Sequence, residues 1–353
     1  MELVNDACTL TSQLYRLVVF NSKKYDIDSF MALEHQYRSI GATLEFVDQK
    51  LDEKTMYHAK GAHVVCVFVN DMPEKPVIDY LKAHGTGLLT FRCAGFDRVD
   101  LDACREAGMS VSRVPVYSPF AVAEHAIALT LSLNRRLRSS DKRVSQGNFS
   151  LSDSLLGFDM NGKTVGLLGT GNIGRIAGKI FLGFGCKILC YDVFQSAEFA
   201  ALPNVQYATM DEVLSNVDIL SLHLPLLPST RHIINKENLA KMKKGAIIVN
   251  TSRGGLVDTA ALLEAIDSGS IRGAGLDVYE NESEYFFEDH SDREIEDPVL
   301  KVLMNHPNII LTPHQAFFTA EALSEIAKVT FNNVKEFIVD GKQMLKMTNT
   351  CLK

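Results

Sequence analysis

Residues 163–192, KTVGLLGTGNIGRIAGKIFLGFGCKILCYD, decide how the rest of the chain is read. The run 163–168 is short and apolar, as a strand buried on both faces would be. It ends in Gly169-Thr170-Gly171-Asn172-Ile173-Gly174, and apolar residues then recur at helical spacing over 173–184. A second apolar run, 187–191, closes a β-α-β unit and delivers Asp192 at its end. Each glycine has its own task. Gly169 allows a tight turn, Gly171 lets the backbone approach a pyrophosphate, and Gly174 lets helix and strand pack closely. The helix N-terminus offers unpaired N–H groups and a positive dipole end to that pyrophosphate. Asp192, 18 residues after Gly174, can accept hydrogen bonds from both adenosine ribose hydroxyls and would repel a 2′-phosphate. No Arg or Lys follows it in Val193-Phe194-Gln195-Ser196, which favours NAD over NADP.

A chain of 353 residues has length for two domains, each with its own core. Hydrophobic residues at 46% and charged residues at 22% are ordinary for a soluble globular protein. The net charge of −7 leaves no basic excess to neutralise phosphates, so nucleic acid is not an expected partner. No apolar run approaches the roughly 20 residues that span a bilayer, so no membrane is expected either. The opening MELVNDACTLTSQLY has an early acid and no long apolar core, unlike a secretory signal. Seven cysteines lack disulfide-framework or paired CxxC spacing. With Cys66, Cys93, Cys186 and Cys190 in or beside apolar runs, they read as buried thiols of a reducing compartment, the cytoplasm.

Short apolar runs alternate with helical patterns from the start. Strands are expected at 16–20, 43–47, 63–68, 88–92 and 110–114, with helices near 27–40, 75–84 and 100–107. This alternation implies parallel strands joined by crossover helices, a sheet of about five strands. Residues 1–15 form an extension. At Ser118-Pro119 the character changes: Ser118 suits an N-cap and Pro119 the first helical position. A long helix over 120–138 then leads through a polar stretch, 139–154, into the opening β-α-β unit. Further strands are expected at 218–224, 246–250, 274–278 and 308–311, with helices at 210–216, 236–242, 259–268 and, last, 319–339. Because the glycine loop lies mid-chain, one domain must be inserted into the other. The expected boundaries are 1–117 and 316–353 for the first domain and 118–315 for the second, with two connections forming a hinge.

Open α/β sheets place their ligands at the C-terminal ends of strands. Three segments put polar residues there: Val249-Asn-Thr-Ser-Arg253-Gly-Gly255, Gly275-Leu-Asp277-Val-Tyr-Glu-Asn-Glu282, and Leu311-Thr-Pro-His314-Gln-Ala. Singly, each has an ordinary explanation: a surface ion pair for Arg253, a solvated acid for Glu282, a satisfied loop histidine for His314. Together they suit one chemistry. A guanidinium can bind a substrate carboxylate and polarise the adjacent carbonyl through planar, multiple hydrogen bonds. Imidazole can exchange a proton with the carbonyl or hydroxyl oxygen. A carboxylate beside it orients the ring and favours its protonated form. With NADH as hydride donor, the reaction is reduction of a 2-oxo acid to a 2-hydroxy acid. The acidic stretch 280–297, with Tyr285, Phe286 and Phe287, reads as a loop with an aromatic anchor, not a metal site. His125, in the long helix, and His223, at a strand end, read as packing or supporting residues.

These segments belong to a wider set: Arg92-Cys-Ala-Gly-Phe-Asp-Arg-Val-Asp100, Val114-Pro-Val-Tyr-Ser-Pro119, Ala123-Glu-His125, Ser221-Leu-His-Leu-Pro225 and Thr312-Pro-His-Gln-Ala-Phe317. In this order the chain resembles the D-isomer-specific 2-hydroxyacid dehydrogenases, most closely their D-lactate dehydrogenase branch, from about residue 16 to 341. The resemblance implies an α/β fold of two doubly wound parallel-sheet domains, a Rossmann NAD-binding domain inserted into a flavodoxin-like substrate domain. It implies Arg253, Glu282 and His314 as the catalytic set, with Glu280 competing for the Glu role. Cofactor contacts would fall on Gly169, Gly171, Asn172, Ile173, Gly174, Asp192, Leu224, Pro225, Thr251, Ser252, Arg253 and Asp277, with Thr230 a weaker candidate. The substrate would meet the backbone at Ala94 and Gly95, the side chains of Tyr117 and Arg253, and a wall of Phe317 and Phe318. Two departures, Phe318 where relatives often have Tyr and Asp97 where many have Asn, bear on which substrate is taken. Pyruvate is the expected substrate, and a homodimer paired through the NAD-binding domain, with 120–138 contributing, the expected assembly. A D-2-hydroxyisocaproate-type enzyme or broader 2-oxo acid reductase is the alternative, and a 3-phosphoglycerate dehydrogenase is disfavoured. Corepressors of similar fold carry a cleft tryptophan, whereas this chain has no Trp.

Overall fold

A computed structural model describes residues 14–96 and 98–352, so Asp97 and most of the N-terminal extension lie outside the described residues. The chain forms two compact units, one from the residues up to Ser118 and from Thr319 onward, the other from Pro119–Phe318.

The first unit is built on five parallel strands, β1 (Tyr15–Val19), β2 (Ala42–Phe46), β3 (Val64–Val67), β4 (Leu88–Phe91) and β5 (Ser110–Ser112). Their order is β2-β1-β3-β4-β5, the flavodoxin-like arrangement. β3 and β4 are buried along their whole length, as their unbroken apolar runs require when helices cover both faces. One cover is the C-terminal helix Ala320–Ile338, whose Ala327, Phe331 and Val334 join Leu17, Val19, Cys66 and Leu88 in one core. Thr319 caps that helix by accepting a hydrogen bond from the Ala322 N–H. Beyond β4, Arg92 is buried without being unpaired. It bonds Asp26 at 3.1 Å and the carbonyls of Phe20 and Asn21 at 2.9 and 2.7 Å, which ties the ends of β1 and β4 together. The expected helix at 27–40 is two helices, Lys24–Met31 and Glu34–Ser39. The ladder tightens where the Leu33 N–H bonds the carbonyl of Phe30, three residues back.

The second unit holds seven parallel strands: β6 (Thr164–Leu168), β7 (Lys187–Tyr191), β8 (Val205–Tyr207), β9 (Ile219–Leu222), β10 (Ala246–Asn250), β11 (Ile271–Leu276) and β12 (Ile309–Leu311). Their order, β12-β11-β10-β9-β6-β7-β8, reverses at β6/β9, which is the Rossmann switch point. Alternate residues of the same strands enter opposite cores. Val165 and Leu167 face one core with Ile247 and Val249, while Leu168 and Ile248 face the other. The helices Pro119–Asn134 and Asn172–Gly183 cover the first face with Ala123, Ala126, Leu129, Leu133, Ala177 and Phe181. Full burial of such a Leu or Phe contributes about 1.5–3 kcal/mol. The helix expected at 120–138 ends early. Asn134 exchanges two hydrogen bonds with the Phe158 backbone, and Arg136 turns left-handed at φ 52° before a second helix, Leu137–Ser145. The polar stretch expected at 139–154 therefore begins as helix.

Candidate functional site

The glycine loop is shaped by what it must clear. A Cβ at Gly169, where φ is +96°, would lie 2.4 Å from the His223 carbonyl oxygen, and one at Gly174 would lie 2.2 Å from the Gly169 oxygen. A Cβ at Gly171 would meet no protein atom, so packing within the chain does not require that glycine. The space it keeps open lies at the start of helix Asn172–Gly183, where the first ladder bond is the Arg175 N–H to the Gly171 carbonyl. The N–H groups of Asn172, Ile173 and Gly174 thus bond no acceptor among the described residues. Arg175 adds a positive charge there, clasping the Thr170 carbonyl and the Asn172 side chain, each at 2.9 Å. The sequence reading passed over it. Its signal was a basic residue directly after the third glycine.

Asp192 is held by the same loop. Its Oδ2 accepts from the Thr170 N–H at 2.6 Å and the Thr170 hydroxyl at 3.1 Å, and its Oδ1 from the Phe194 N–H at 2.9 Å. Tyr207, on the unforeseen strand β8, donates to the Thr170 hydroxyl at 2.8 Å and so turns that hydroxyl's hydrogen toward Asp192. A carboxylate offers roughly four lone-pair sites. Three are taken, so one is left for a further donor as the loop stands. Accepting both ribose hydroxyls, as the sequence implied, requires the Thr170 hydroxyl to turn away.

At the other end of the sheet, register aligns Asn250, Leu276 and Leu311 in one row, so Arg253, Asp277–Glu282 and His314 all follow the same C-terminal edge. His314 and Glu282 meet there, Nδ1 to Oε1 at 2.8 Å. The second Glu282 oxygen accepts from the Tyr279 N–H at 2.9 Å, which fixes the carboxylate. Glu280 is committed elsewhere, to His232 at 2.6 Å and the Thr259 N–H at 3.1 Å, so of the two acids only Glu282 touches the imidazole. The His314 Nε2 makes no hydrogen bond among the described residues. His314 also has a left-handed backbone, φ 54°, a strained state for a non-glycine residue. It is held by its own N–H, which bonds the Asp277 carbonyl at 2.7 Å.

Asp277, expected among the cofactor contacts, is fully buried. Its carboxylate accepts from the Thr312 hydroxyl and from the Gln315 and Ala316 N–H groups. His125 lies against the same cluster, 3.1 Å from the Thr312 hydroxyl and 3.4 Å from Asp277. In this geometry Asp277 is a clamp on the loop that carries His314 rather than an exposed contact. Ser252 likewise spends its hydroxyl on the Leu222 carbonyl, joining β9 to β10. Thr230 spends its hydroxyl inside the 225–230 turn, donating to the Pro225 carbonyl and accepting from the Leu227 N–H. Leu224 and Pro225 follow β9 at the switch point, Leu224 partly buried against the core. Arg253 is shaped by Asn250, whose side chain bonds the carbonyl of Arg253 and the N–H of Ser252. His223 beneath the glycine loop bonds Ser221 at 2.9 Å, and burial pushes its imidazole down to about 4, so it stays neutral near pH 7. Phe317 is nearly buried, whereas Phe318 is 47% exposed.

In the first unit, Ala94 closes a bend just beyond β4 and Gly95 follows it, and half-buried Tyr117 stands near the end of the unit's first segment.

These features fit NAD. The open space at Gly171, the unpaired helix N–H groups and the fixed Asp192 suit a pyrophosphate and a ribose. The Thr251 hydroxyl is buried with no partner among the described residues, so it too is left for a ligand. Among the described residues no cluster of His, Cys, Asp or Glu is arranged to hold a metal ion, and no helix is long and apolar enough to cross a membrane.

Comparison with known proteins agrees. Residues 127–316 match the model of the D-isomer specific 2-hydroxyacid dehydrogenase, NAD binding domain. The chain is 45% identical over 319 residues to the D-lactate dehydrogenase of Escherichia coli, covering 90% of this chain and 95% of that one. Among solved structures, the pyruvate reductase of Chlamydomonas reinhardtii is 44% identical with a TM-score of 0.87, covering 92% of this chain and 97% of the other. The Aquifex aeolicus D-lactate dehydrogenase, solved with NAD and lactic acid, is 32% identical with a TM-score of 0.81, covering 96% and 99%. The chain therefore belongs to the D-isomer specific 2-hydroxyacid dehydrogenases, NAD-dependent oxidoreductases, and its second unit carries their NAD-binding domain.

Proposed function

We propose that this protein is a D-lactate dehydrogenase that interconverts pyruvate and D-lactate, with the first unit as the substrate domain. The observation that carries the reading is the His314–Glu282 contact at the sheet edge of the NAD-binding unit. When bound, NADH supplies the hydride. His314 presents Nε2 to the substrate oxygen and gives it a proton during reduction, taking it back during oxidation. Glu282, on the far ring nitrogen, accepts from Nδ1 and so fixes the ring's tautomer and orientation. Arg253 holds the carboxylate and polarises the carbonyl, while the Ala94 and Gly95 backbone and Tyr117 complete the carboxylate's surroundings. Phe317 and Phe318 limit the side chain. The glycine loop with Asn172, Ile173 and Arg175 takes the pyrophosphate, and Leu224, Pro225 and Thr251 line the rest of the dinucleotide.

The test is NADH oxidation at micromolar protein across 2-oxo acids of increasing side-chain size, with product chirality determined. Pyruvate should turn over at about 1–1000 per second and yield the D-isomer. An L-product, or no turnover with any 2-oxo acid, defeats the reading, and a preference for larger acids moves it to a D-2-hydroxyisocaproate-type enzyme.

Cofactor choice has its own test. Asp192→Ala should weaken NADH binding and shrink the preference for NADH over NADPH, because a ribose acceptor and a charge repelling the 2′-phosphate both disappear. An unchanged ratio of specificity constants would remove Asp192 from that role.

We propose a second copy of this chain as its partner. Within 137–156 of the NAD-binding unit, Leu137, Val144, Phe149 (77% exposed), Leu151 (91%) and Leu156 all leave large apolar side chains exposed. This set extends beyond the 120–138 helix expected to contribute. The cytoplasm is the proposed compartment, in keeping with the buried thiols of Cys66, Cys104, Cys186, Cys190 and Cys351.

A further inference from the structure

We propose that Arg113 is a positioning residue for the substrate carboxylate, acting through the peptide that joins Ala94 to Gly95. The inference rests on the reading that this backbone receives the carboxylate.

Arg113 directly follows β5 and sends its guanidinium back toward the bend after β4. There it donates to the Ala94 carbonyl at 2.8 Å and lies over the Phe96 ring, 4.9 Å from its centroid. Its backbone is fixed on both sides. The Arg113 N–H bonds the Asn349 carbonyl at 3.1 Å, and its carbonyl accepts from the Asn333 side chain at 2.9 Å. Asn349 in turn donates to Asn333 at 2.9 Å. The C-terminal helix and the tail beyond it thus hold the arginine that holds the bend.

A trans peptide is planar, with its C=O and N–H pointing in opposite directions. A guanidinium on the Ala94 oxygen therefore aims the Gly95 N–H away from Arg113. The next peptide is pinned the same way, since the Cys93 thiol donates to the Gly95 carbonyl at 3.2 Å and turns the Phe96 N–H outward. The N–H groups of Ala94, Gly95 and Phe96 donate to no acceptor among the described residues, three successive donors of the kind that cradle an anion. The charge contributes as well as the geometry. A cation on a carbonyl polarises its peptide, and the N–H at the other end becomes a stronger donor. Arg113 thereby lends positive character to the anion without touching it.

The test compares Arg113→Met, close in length but neutral, with Arg113→Lys, which keeps the charge and one donor. Measured are KM and kcat for pyruvate, the dissociation constant of oxamate in the presence of NADH, and the NADH dissociation constant. Oxamate carries the carboxylate but is not reduced, so it reports binding alone. With that polarisation and the hold on the peptide both lost, Arg113→Met should raise KM and the oxamate constant roughly tenfold, about 1.4 kcal/mol. NADH affinity should stay unchanged and kcat should change less than about threefold, with Arg113→Lys recovering most of the loss. Unchanged oxamate binding in folded Arg113→Met overturns the proposal, and so does a parallel loss of NADH and oxamate binding, which marks general damage. If Arg113→Met does not fold, Phe96→Leu carries the test, because losing the stacking surface should weaken oxamate binding and leave NADH binding alone. Unchanged oxamate binding there is equally fatal. Failure of the wild-type protein to reduce pyruvate or bind oxamate would instead strike the function it rests on.

Discussion

In His314→Gln, turnover of pyruvate falls by roughly 10²–10⁴-fold, the range typical of lost general acid catalysis, while KM changes much less. Glutamine keeps a polar group of similar reach but has no proton to transfer at neutral pH. NADH affinity should survive, since Asp192 and the glycine loop are untouched. The companion variant, Glu282→Gln, tests the pairing. Its carbonyl can still orient the imidazole from 2.8 Å, but no charge is left to balance the proton the ring carries to the substrate. Turnover of pyruvate should therefore fall in Glu282→Gln while KM and NADH affinity change little. Glu280→Gln should leave turnover near wild type, because Glu280 is bonded to His232 and the Thr259 N–H. A loss of turnover in Glu280→Gln and none in Glu282→Gln reverses the assignment.

The choice between these two acids shows where sequence reading stops. Both lie in one short segment after a strand, and spacing alone left both open. The decision comes from His232, far along the chain from Glu280, and from the left-handed turn that brings His314 to Glu282. The β-α-β unit was legible almost to the residue, with 187–191 and Lys187–Tyr191 coinciding and 173–184 matching Asn172–Gly183 within one position. Strands buried on both faces are unbroken apolar runs, and the glycines punctuate them. β8 was missed because it is three residues long at the sheet's edge, with no apolar run to reveal it. Tyr207 and its hold on Thr170 were missed with it. The helix Pro298–Asn305 was passed over directly after the acidic stretch 280–297, although Asp297 followed by Pro298 is an N-cap signal. Asp277 was assigned by position in a motif. That its carboxylate is consumed by Thr312, Gln315 and Ala316 depends on a loop more than thirty residues away, which no local pattern records.

Arg253→Lys should damage binding and chemistry together, and this separates anchoring from acid catalysis. The guanidinium is expected to grip the carboxylate in the ground state and to hold the carbonyl oxygen more strongly as negative charge grows on it. Lysine keeps the charge but loses the planar fork, so at least one charge-assisted hydrogen bond goes unmade. At about 1.5–3 kcal/mol for such a bond, the specificity constant for pyruvate should drop roughly 10- to 150-fold. The loss should be shared between a higher KM and a lower kcat, unlike the kcat-dominated loss in His314→Gln. The fold should tolerate the change. The structure holds this segment through the Arg253 carbonyl, bonded by Asn250, and through Ser252 on the Leu222 carbonyl, while the guanidinium donates to the carbonyl of its own neighbour, Ser252, at 2.9 Å. The NADH dissociation constant and thermal midpoint of Arg253→Lys therefore check that the damage is local. If KM and kcat for pyruvate both stay at wild-type values, Arg253 serves the structure alone, and a different cation must be sought for the carboxylate.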